Sequence, residues 1–255
     1  MQETASTVNQ KLTVFGTISE AWKLTHGTKW AICLPILFVV LPAYLAIIFM
    51  AVSFFLGKFS STTGGIFLVI GIGLIYLIIG CVTGALKVSI ERARGNSVSA
   101  TSGFHSFSRV IPIVLTLLLV GIILLPGNLF HYIPGLNTQT MSAKITVFIL
   151  QTAYGLIVGP LVYMSFPLIV DKINSPFSAL SRSFKAAWPH WFKLIGIFVI
   201  AEIVSLLLWA PFMLGMNLKM QGLAFAGLGV MFLAIVWAMP FLFLIQGVIY
   251  HKLFD

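Results

Sequence analysis

The chain has 255 residues, a formal net charge of +9, and a composition dominated by hydrophobic side chains. Hydrophobic residues make up 59% of it and charged residues only 8%, with a mean hydropathy of +1.06. Soluble domains carry about 25% charged residues, and a chain of this length cannot enclose so much apolar surface in one core. The composition excludes a soluble globular protein and predicts a single all-α integral membrane domain over residues 1–255.

Six apolar stretches follow one another along the chain. Each is long enough to cross a hydrocarbon core that needs about 20 apolar residues. Glu202 is the one acidic residue within them. The six predicted transmembrane helices cover residues 30–56, 64–88, 110–132, 145–170, 191–216 and 222–250.

Basic residues collect on one side of this predicted topology. Twelve of the fifteen Lys and Arg residues lie before the first span, between spans two and three, between spans four and five, after span six, or at the adjoining ends of spans two and five. The opposite side has Lys58, Lys144 and Lys219. Because cytoplasmic loops carry an excess of Lys and Arg, the twelve predict the cytoplasmic face, with both termini in the cytoplasm.

A threefold internal pattern precedes spans one, three and five. An aromatic anchor is followed five residues later by a helix breaker, and the residues between them are largely polar or basic. The anchors are Trp22, Phe107 and Phe184, and the breakers are Gly27, Pro112 and Pro189. Any hairpin protein places polar loops before apolar spans, but the shared offset favours real duplication.

The pattern predicts three tandem helical hairpins, each preceded by a short cytoplasmic amphipathic helix in the headgroup region. The breaker would let the chain turn from the membrane plane into the bilayer. The repeats would cover residues of about 14–90, 98–172 and 176–252.

The third copy carries a family resemblance. The run Asn-Ser-Pro-Phe-Ser-Ala-Leu-Ser-Arg-Ser-Phe-Lys (174–185), followed by Trp188 and Trp191, resembles the YciC-like group of bacterial inner-membrane proteins. That group is related to the membrane domain of some glycerophosphodiester phosphodiesterases, and Glu-Ala-Trp at 20–22 is similar to its first copy. The resemblance implies a six-helix protein of the bacterial inner membrane and supplies no catalytic residues. The hydrolytic activity of the larger relatives is not implied.

Glu202 is the sharpest candidate for a functional side chain. It lies about twelve residues into span five, roughly 18 Å deep at 1.5 Å per residue. A carboxylate at that depth must be paired, protonated or hydrated. We expect neutral partners in Tyr76 and Trp237, with Thr83 as a third. The site would either belong to a proton-linked or cation-binding pathway or hold two helices together by a hydrogen bond.

Other polar and small residues within the spans have a structural interpretation. Gln151 and Gln246 are expected to form interhelical hydrogen bonds. Two glycine pairs, Gly80-x-x-x-Gly84 and Gly155-x-x-x-Gly159, predict close helix packing, within the chain rather than between copies.

No constellation predicts catalysis, a metal site or a cofactor. The sequence has no His-Glu-x-x-His, no Gly-x-Ser-x-Gly and no phosphate-binding Gly-x-x-x-x-Gly-Lys-Ser/Thr. Cys33 and Cys81 are expected to be small buried hydrophobes. We therefore predict a protein that is not an enzyme.

Two functions remain open from the sequence. The first is the binding or transport of a small hydrophobic, amphiphilic or lipidic solute, because polar side chains are scarce within the spans. The second is a non-enzymatic envelope scaffold that organises the membrane through its amphipathic helices. The bilayer is the predicted partner in both, with a lipid or hydrophobic ligand in the first. Nucleic acid is not a predicted partner, and the oligomeric state stays open.

The predicted topology can be tested with reporter fusions. Fusions at residues 100 and 180 are expected to show cytoplasmic reporter activity, because the flanking loops are rich in basic residues. A fusion at residue 140 should behave in the opposite way. Periplasmic activity at residue 100 or 180 would contradict the orientation.

Overall fold

The computed structural model describes residues 12–38, 44, 61–99, 101–104, 107–132, 140–173 and 175–255. These residues form helices, turns and short connections, and no β-strand occurs among them. The predicted all-α class is confirmed.

The chain begins with a short helix that leads into an apolar one. Helix α1 spans Val14–Thr25, and α2 follows from Lys29 to Phe38. Between them Gly27 adopts a φ of 87°, a left-handed conformation that glycine accepts without steric cost. The rest of the first predicted span, 39–56, lies outside the described residues except for Tyr44.

The remaining helices of the described residues are five long ones and two short ones, and the short ones follow each other between the third and fourth long ones. Long helices are α3 (Ser61–Ala93), α4 (Val110–Asn128), α5 (Met141–Val162), α8 (Trp191–Asn217) and α9 (Gln221–Phe254). Short ones are α6 (Ser165–Asp171) and α7 (Pro176–Ala187). Single 3₁₀ turns lie at Ser102–Phe104, Phe107–Arg109, Leu129–Tyr132 and Trp188–His190.

Five segments among the described residues are long and apolar enough to cross a membrane. They are Val69–Ala93, Ser102–Asn128, Ser142–Asp171, Pro176–Met216 and Val236–Phe254. They correspond to five of the six predicted spans, and the chain is accordingly a multi-pass membrane protein. The six-span hairpin arrangement stays a prediction, since the first span is largely outside the described residues.

Helix α9 forms the centre of the packing. It lies against α8, α3 and α1. Its residues 244–250 are buried, with Leu244, Val248 and Tyr250 all at 0% exposure. Gly247 lies so close to the α3 backbone at Ser89 that a side chain would overlap its carbonyl. Small residues bring membrane helices together in this way, because van der Waals packing replaces the hydrophobic effect inside the bilayer.

The first of the two glycine pairs in the sequence has an intramolecular partner. Gly80 accommodates the ring of Phe107, and Gly84 accommodates the backbone of Gly103. The second pair is different: nothing lies within 4 Å of where a Cβ of Gly155 or Gly159 would be.

The second predicted amphipathic helix is replaced by two 3₁₀ turns. Ser99, Thr101 and Ser102 exchange side-chain hydrogen bonds there, with oxygen–oxygen distances of 3.0 and 3.1 Å. Ser and Thr hydroxyls compete in this way with helical hydrogen bonds. As a result α4 begins at Val110, and Pro112 lies in its first turn, where no amide is needed, rather than at a break before it.

The other two predicted short helices are present and share a burial pattern. Each buries three small residues spaced four apart, and each exposes aromatic side chains elsewhere. The buried residues are Thr17, Ala21 and Thr25 in α1 and Ala179, Ser183 and Ala187 in α7. Gly27 and Pro189 lie between these helices and the next.

We predict that Gly247→Val destabilises the protein by about 1–3 kcal/mol, because the added methyl groups would overpack the α9–α3 contact. Thermal unfolding in detergent measures the effect. Gly229→Val is the matched control, since Gly229 is exposed on the same helix with open space around its Cα. An equal loss in both variants would contradict close α9–α3 packing as the cause.

Candidate functional site

One guanidinium group joins two carboxylates from distant parts of the chain. Arg94 follows α3, Asp171 ends α6, and Asp255 follows α9. Arg94 donates to both oxygens of Asp171 at 2.9 and 2.6 Å and to both oxygens of Asp255 at 2.8 and 3.1 Å. The planar fork of arginine suits two bidentate partners at once. The ends of three helices therefore meet at a single cation.

Further polar groups surround this ion cluster. Lys172 lies 2.6 Å from a carboxylate oxygen of Asp255, and the hydroxyl of Tyr250 donates to Asp171 at 2.8 Å. Glu91, a turn before Arg94, lies 3.5 Å from its guanidinium. The side chains of Arg94, Asp171 and Asp255 are only 16–20% exposed. Partial burial strengthens these charge-assisted bonds relative to pairs in open water.

The cluster shifts the pKa values of Arg94 and Asp255, two of its members that lie outside the spans. Burial alone would raise the pKa of Asp255, but hydrogen bonds from Arg94, Lys172 and His251 outweigh it and hold that pKa well below its ordinary value. Hydrogen bonds to Asp171 and then Asp255 hold the pKa of Arg94 above its usual range. Both groups are charged at neutral pH.

A second ion pair ties α9 to α1. Lys252 Nζ lies 2.7 Å from a carboxylate oxygen of Glu20, and the Lys252 side chain is only 6% exposed. Its burial makes an unpaired state costly. Together with the ion cluster, this pair fastens α1, α3, α6 and α9 at one end of the molecule.

The sequence has a regular pattern of charged or ionisable pairs beside the residues of these contacts. An acid or histidine followed by a basic residue recurs every 80 residues: Glu91-Arg92, Asp171-Lys172 and His251-Lys252. The residues just before them, Ile90, Val170 and Tyr250, are all buried. From the sequence alone, charged residues at the ends of spans suggest separate ion pairs at the surface. Which of them pair between helices depends on the fold.

An aromatic cluster lies where α1 and α2 meet α9. Trp22 stacks on Trp237 with ring centroids 6.2 Å apart and contacts Phe241 edge-on at 5.5 Å. The ammonium of Lys29 lies 4.1 Å from the Trp237 ring centroid, a cation–π distance, and His26 is 5.4 Å from the same ring. Trp237 is thus held beside a cationic segment of the chain.

An apolar cleft opens between α4, α5 and α7. Its volume is about 340 Å³, within the range of small-ligand pockets. The one polar side chain in its wall, Tyr154, uses its hydroxyl to donate to the carbonyl of Ile123 at 2.7 Å. The other lining residues are Ile123, Val158, Leu161, Val162, Leu180 and Phe184. A ligand in this cleft would meet hydrocarbon and aromatic surface.

The predicted intramembrane polar residues do not converge on one site. Glu202 is exposed on α8 and has no hydrogen bond or ion pair with any described residue. Tyr76 stacks on Phe107 and lies 3.5 Å from its carbonyl. Gln246 is buried and donates to the carbonyl of Tyr163 at 3.0 Å, as expected for an interhelical bond.

The other predicted residues are distributed as follows. The hydroxyl of Thr83 is bonded within α3 to Ile79. Gln151 is half-buried on α5, without a hydrogen bond to a described residue. Cys33 and Cys81 are buried free thiols, and Cys33 lies 3.5 Å from the carbonyl of Val236. The described residues contain no cluster of three or more His, Cys, Asp or Glu that could hold a metal.

The anchors differ in exposure. Trp22 and Phe184 are exposed by 49% and 46%, which suits residues in contact with lipid, whereas Phe107 packs into α3.

Comparison with known proteins adds no family or fold: no protein-family model, curated protein or solved structure matches this chain.

We predict that Arg94→Leu lowers stability by roughly 3 kcal/mol, because it leaves two partly buried carboxylates without their shared cation. Thermal unfolding in detergent at pH 7 measures the change. Arg182→Leu, which alters an exposed arginine on α7, should change it little.

The same cluster predicts an acid-labile contribution to stability. Because the pKa of Asp255 is lowered by folding, its contribution is fully present above an ordinary aspartate pKa of about 4 and is lost as pH falls further. The Arg94→Leu protein should lack most of this acid-dependent loss. An unchanged pH profile in that variant would contradict the role given to the cluster.

Proposed function

We propose that this protein binds the hydrocarbon part of a lipid or of another small hydrophobic or amphiphilic molecule within the bacterial inner membrane. The observation that carries the proposal is the apolar cleft between α4, α5 and α7. Its single polar side chain already donates its hydroxyl hydrogen within the protein, so the side chains of the wall offer no free hydrogen-bond donor to a hydrophilic cargo. A buried polar group would pay a desolvation cost there, whereas an acyl chain would not.

The location of the cleft supports a lipidic ligand. Leu180 and Phe184 of α7 form one end of it, and Tyr154 of α5 lies nearer the middle of a span. The exposed Arg182 and Lys185 are on α7, where cations would meet lipid phosphates at the membrane surface. A chain lying along α5 would therefore have its headgroup near basic residues.

The orientation and the repeat belong to the same proposal. The excess of basic residues puts the ion cluster, α1 and α7 at the cytoplasmic face. The charged pairs at a spacing of 80 residues and the matching burial of α1 and α7 support tandem duplication. Three hairpins and the YciC-like resemblance would follow, with the repeats related by an axis along the membrane normal.

A membrane-organising scaffold is the second candidate, and one observation favours it. The short helices and their junctions expose large aromatic side chains beside basic ones, the composition of an interfacial helix. These are Phe15, Trp22, Phe177, Phe184, Trp188 and Phe192. Both functions are non-enzymatic, in line with a sequence that has no catalytic motif.

Photolabelling tests the cleft. The full chain is reconstituted with a phospholipid that carries a diazirine at the end of one acyl chain, and labelled peptides are mapped by mass spectrometry. We expect labels on residues 154–162 and a several-fold decrease in Leu180→Trp, because the indole fills the cleft.

Leu207→Trp is the control, since Leu207 is 68% exposed on α8, away from the cleft. Its labelling of residues 154–162 should equal that of the parent chain. Labels spread evenly over the apolar helices, or an equal decrease in both variants, would refute a specific acyl-chain site.

A further inference from the structure

A second pocket opens where α3 ends and the chain turns back. Its volume is about 240 Å³, and it shares no lining residue with the apolar cleft. Pockets for drug-sized ligands measure about 300–1,000 Å³, so this one suits a smaller group. Its wall combines a cation, a carboxylate and two hydroxyls with two valine side chains. The lining residues are Lys87, Glu91, Ser97, Ser102, Val88 and Val98.

The C-terminal cap of α3 brings the two serines to this pocket. The amide of Gly95 donates to the carbonyl of Arg92 at 3.0 Å, and the amide of Asn96 donates to the carbonyl of Glu91 at 3.0 Å. These are the two hydrogen bonds of a Schellman motif, and Gly95 has the positive φ, 84°, that the motif requires. The chain therefore reverses directly after the helix, and the serines line the same pocket as its last turns.

The two charged side chains of the pocket are held differently. Lys87 and Glu91 are four residues apart and hence on one face of α3. Glu91 accepts from the side-chain amide of Asn96 at 2.5 Å and lies 3.5 Å from the guanidinium of Arg94. Lys87 is exposed and has no hydrogen bond or ion pair with any residue that the structure describes. A carboxylate that is fixed in place thus shares the pocket with a cation that is available to a ligand.

The hydroxyls extend this arrangement of donors and acceptors. Ser102 Oγ accepts from the amide of Ser99 at 3.0 Å, which fixes its position. Ser97 has no hydrogen bond within the described part of the chain, so its hydroxyl is available to donate. The ammonium of Lys87 offers only donors, and the carboxylate of Glu91 offers only acceptors. Such a pocket is complementary to a group that carries an anionic oxygen at one end and an N–H cation at the other.

The depth of the pocket matches the surface of the membrane. A Cβ added to Gly84 of α3 would overlap the backbone of Gly103, and one added to Gly103 would lie 3.0 Å from the carbonyl of Ala31 in α2. Ala31 follows Trp30, which is 51% exposed, and tryptophan is enriched at the headgroup level. Lys87 lies about 4.5 Å beyond Gly84 towards the end of α3. The charged part of the pocket is therefore level with lipid headgroups.

We propose that this pocket binds the phosphoethanolamine headgroup of a zwitterionic phospholipid. Lys87 and Ser97 donate to the phosphodiester oxygens, and the ammonium of the headgroup donates to Glu91. Val88 and Val98 supply apolar surface for the two methylene groups between these charges. The acyl chains extend from the headgroup into the bilayer beside α3.

The charges of the pocket favour this headgroup over the alternatives. Inorganic phosphate would bring up to two negative charges beside Glu91 with no cation for that carboxylate. A glycerol headgroup has the phosphodiester but no ammonium, so it also leaves Glu91 without a cationic partner. A choline headgroup carries a cation but no N–H, so it cannot donate a hydrogen bond to the carboxylate. The ethanolamine headgroup satisfies both Lys87 and Glu91.

Native mass spectrometry of the detergent-solubilised full chain measures this preference. Dioleoyl phosphatidylethanolamine, phosphatidylcholine and phosphatidylglycerol have the same acyl chains and differ only in the headgroup. We expect the ethanolamine lipid to bind about tenfold more tightly than the other two, the effect of one hydrogen bond between charged groups. Soluble phosphoethanolamine is the separate arm of the test. It should bind far more weakly, because it has no acyl chains, and equal affinity would overturn the assignment to a lipid.

Substitutions test the role of each side chain. Lys87→Gln should weaken binding of the ethanolamine lipid about tenfold, because the phosphodiester loses its cation. Glu91→Gln should lower the affinity for this lipid to that for the choline lipid. Ser97→Trp fills the pocket without changing a charge and should also weaken binding several-fold. Lys193→Gln is the matched control, since Lys193 is an exposed lysine on α8 without a described partner, and it should bind as the parent chain does.

Three outcomes would overturn the proposal. These are equal affinities for the three lipids, equal losses in Lys87→Gln and Lys193→Gln, or a Glu91→Gln protein that keeps the preference for ethanolamine. Thermal unfolding identifies variants that lose the fold, and Ser97→Trp tests the pocket without altering the contact between Glu91 and Arg94. Acyl-chain labelling of residues 154–162 should persist in Lys87→Gln, so it reports separately on the apolar cleft.

Discussion

The relative positions of the helices depend on Arg94, which is shared between two carboxylates. In a bilayer no hydrophobic force draws one apolar helix to another, because lipid tails solvate each as well as a neighbouring helix does. Specific contacts must decide which helices lie together. A guanidinium that satisfies Asp171 and Asp255 at once fixes the ends of α3, α6 and α9 relative to each other. The buried Lys252–Glu20 pair extends that constraint to α1.

Packing between the helices follows from that fixed end. Gly247 brings the α9 backbone onto α3, and Gly80 and Gly84 receive the segment that leads into α4. These contacts bring the helices close together towards the end that carries the ion cluster. Away from the ion cluster, the helices cover one another less completely. Glu202 is exposed on α8, and the apolar cleft opens beside α5. The tightly packed end thus carries the charges, while the open faces lie within the hydrocarbon.

The sequence predicts the class of the fold well and the site poorly. Long uncharged stretches have one physical interpretation, so the helical membrane protein follows directly from them. The short helices α1 and α7 follow from the polar and basic segments with an aromatic anchor and a helix breaker. The segment before α4 differs, because Ser99 and Ser102 hydroxyls bond to each other and compete with a helix, an effect that hydropathy does not register. Trp237 is assigned to the midplane by counting residues, yet its ring lies on Lys29. Which faces of two helices meet depends on rotation about their axes, and one sequence does not fix that rotation.

The contact between α1 and α9 has a consequence for biosynthesis. Glu20 and Lys252 are separated by 232 residues of chain, so the ribosome makes one partner long before the other. At about 5–20 residues per second, roughly 10–50 s pass between them. During that interval α1 must stay at the membrane surface without its partner. Its exposed aromatic side chains suit binding at the interface. The contact between α1 and α9 can form only after α9 has been inserted.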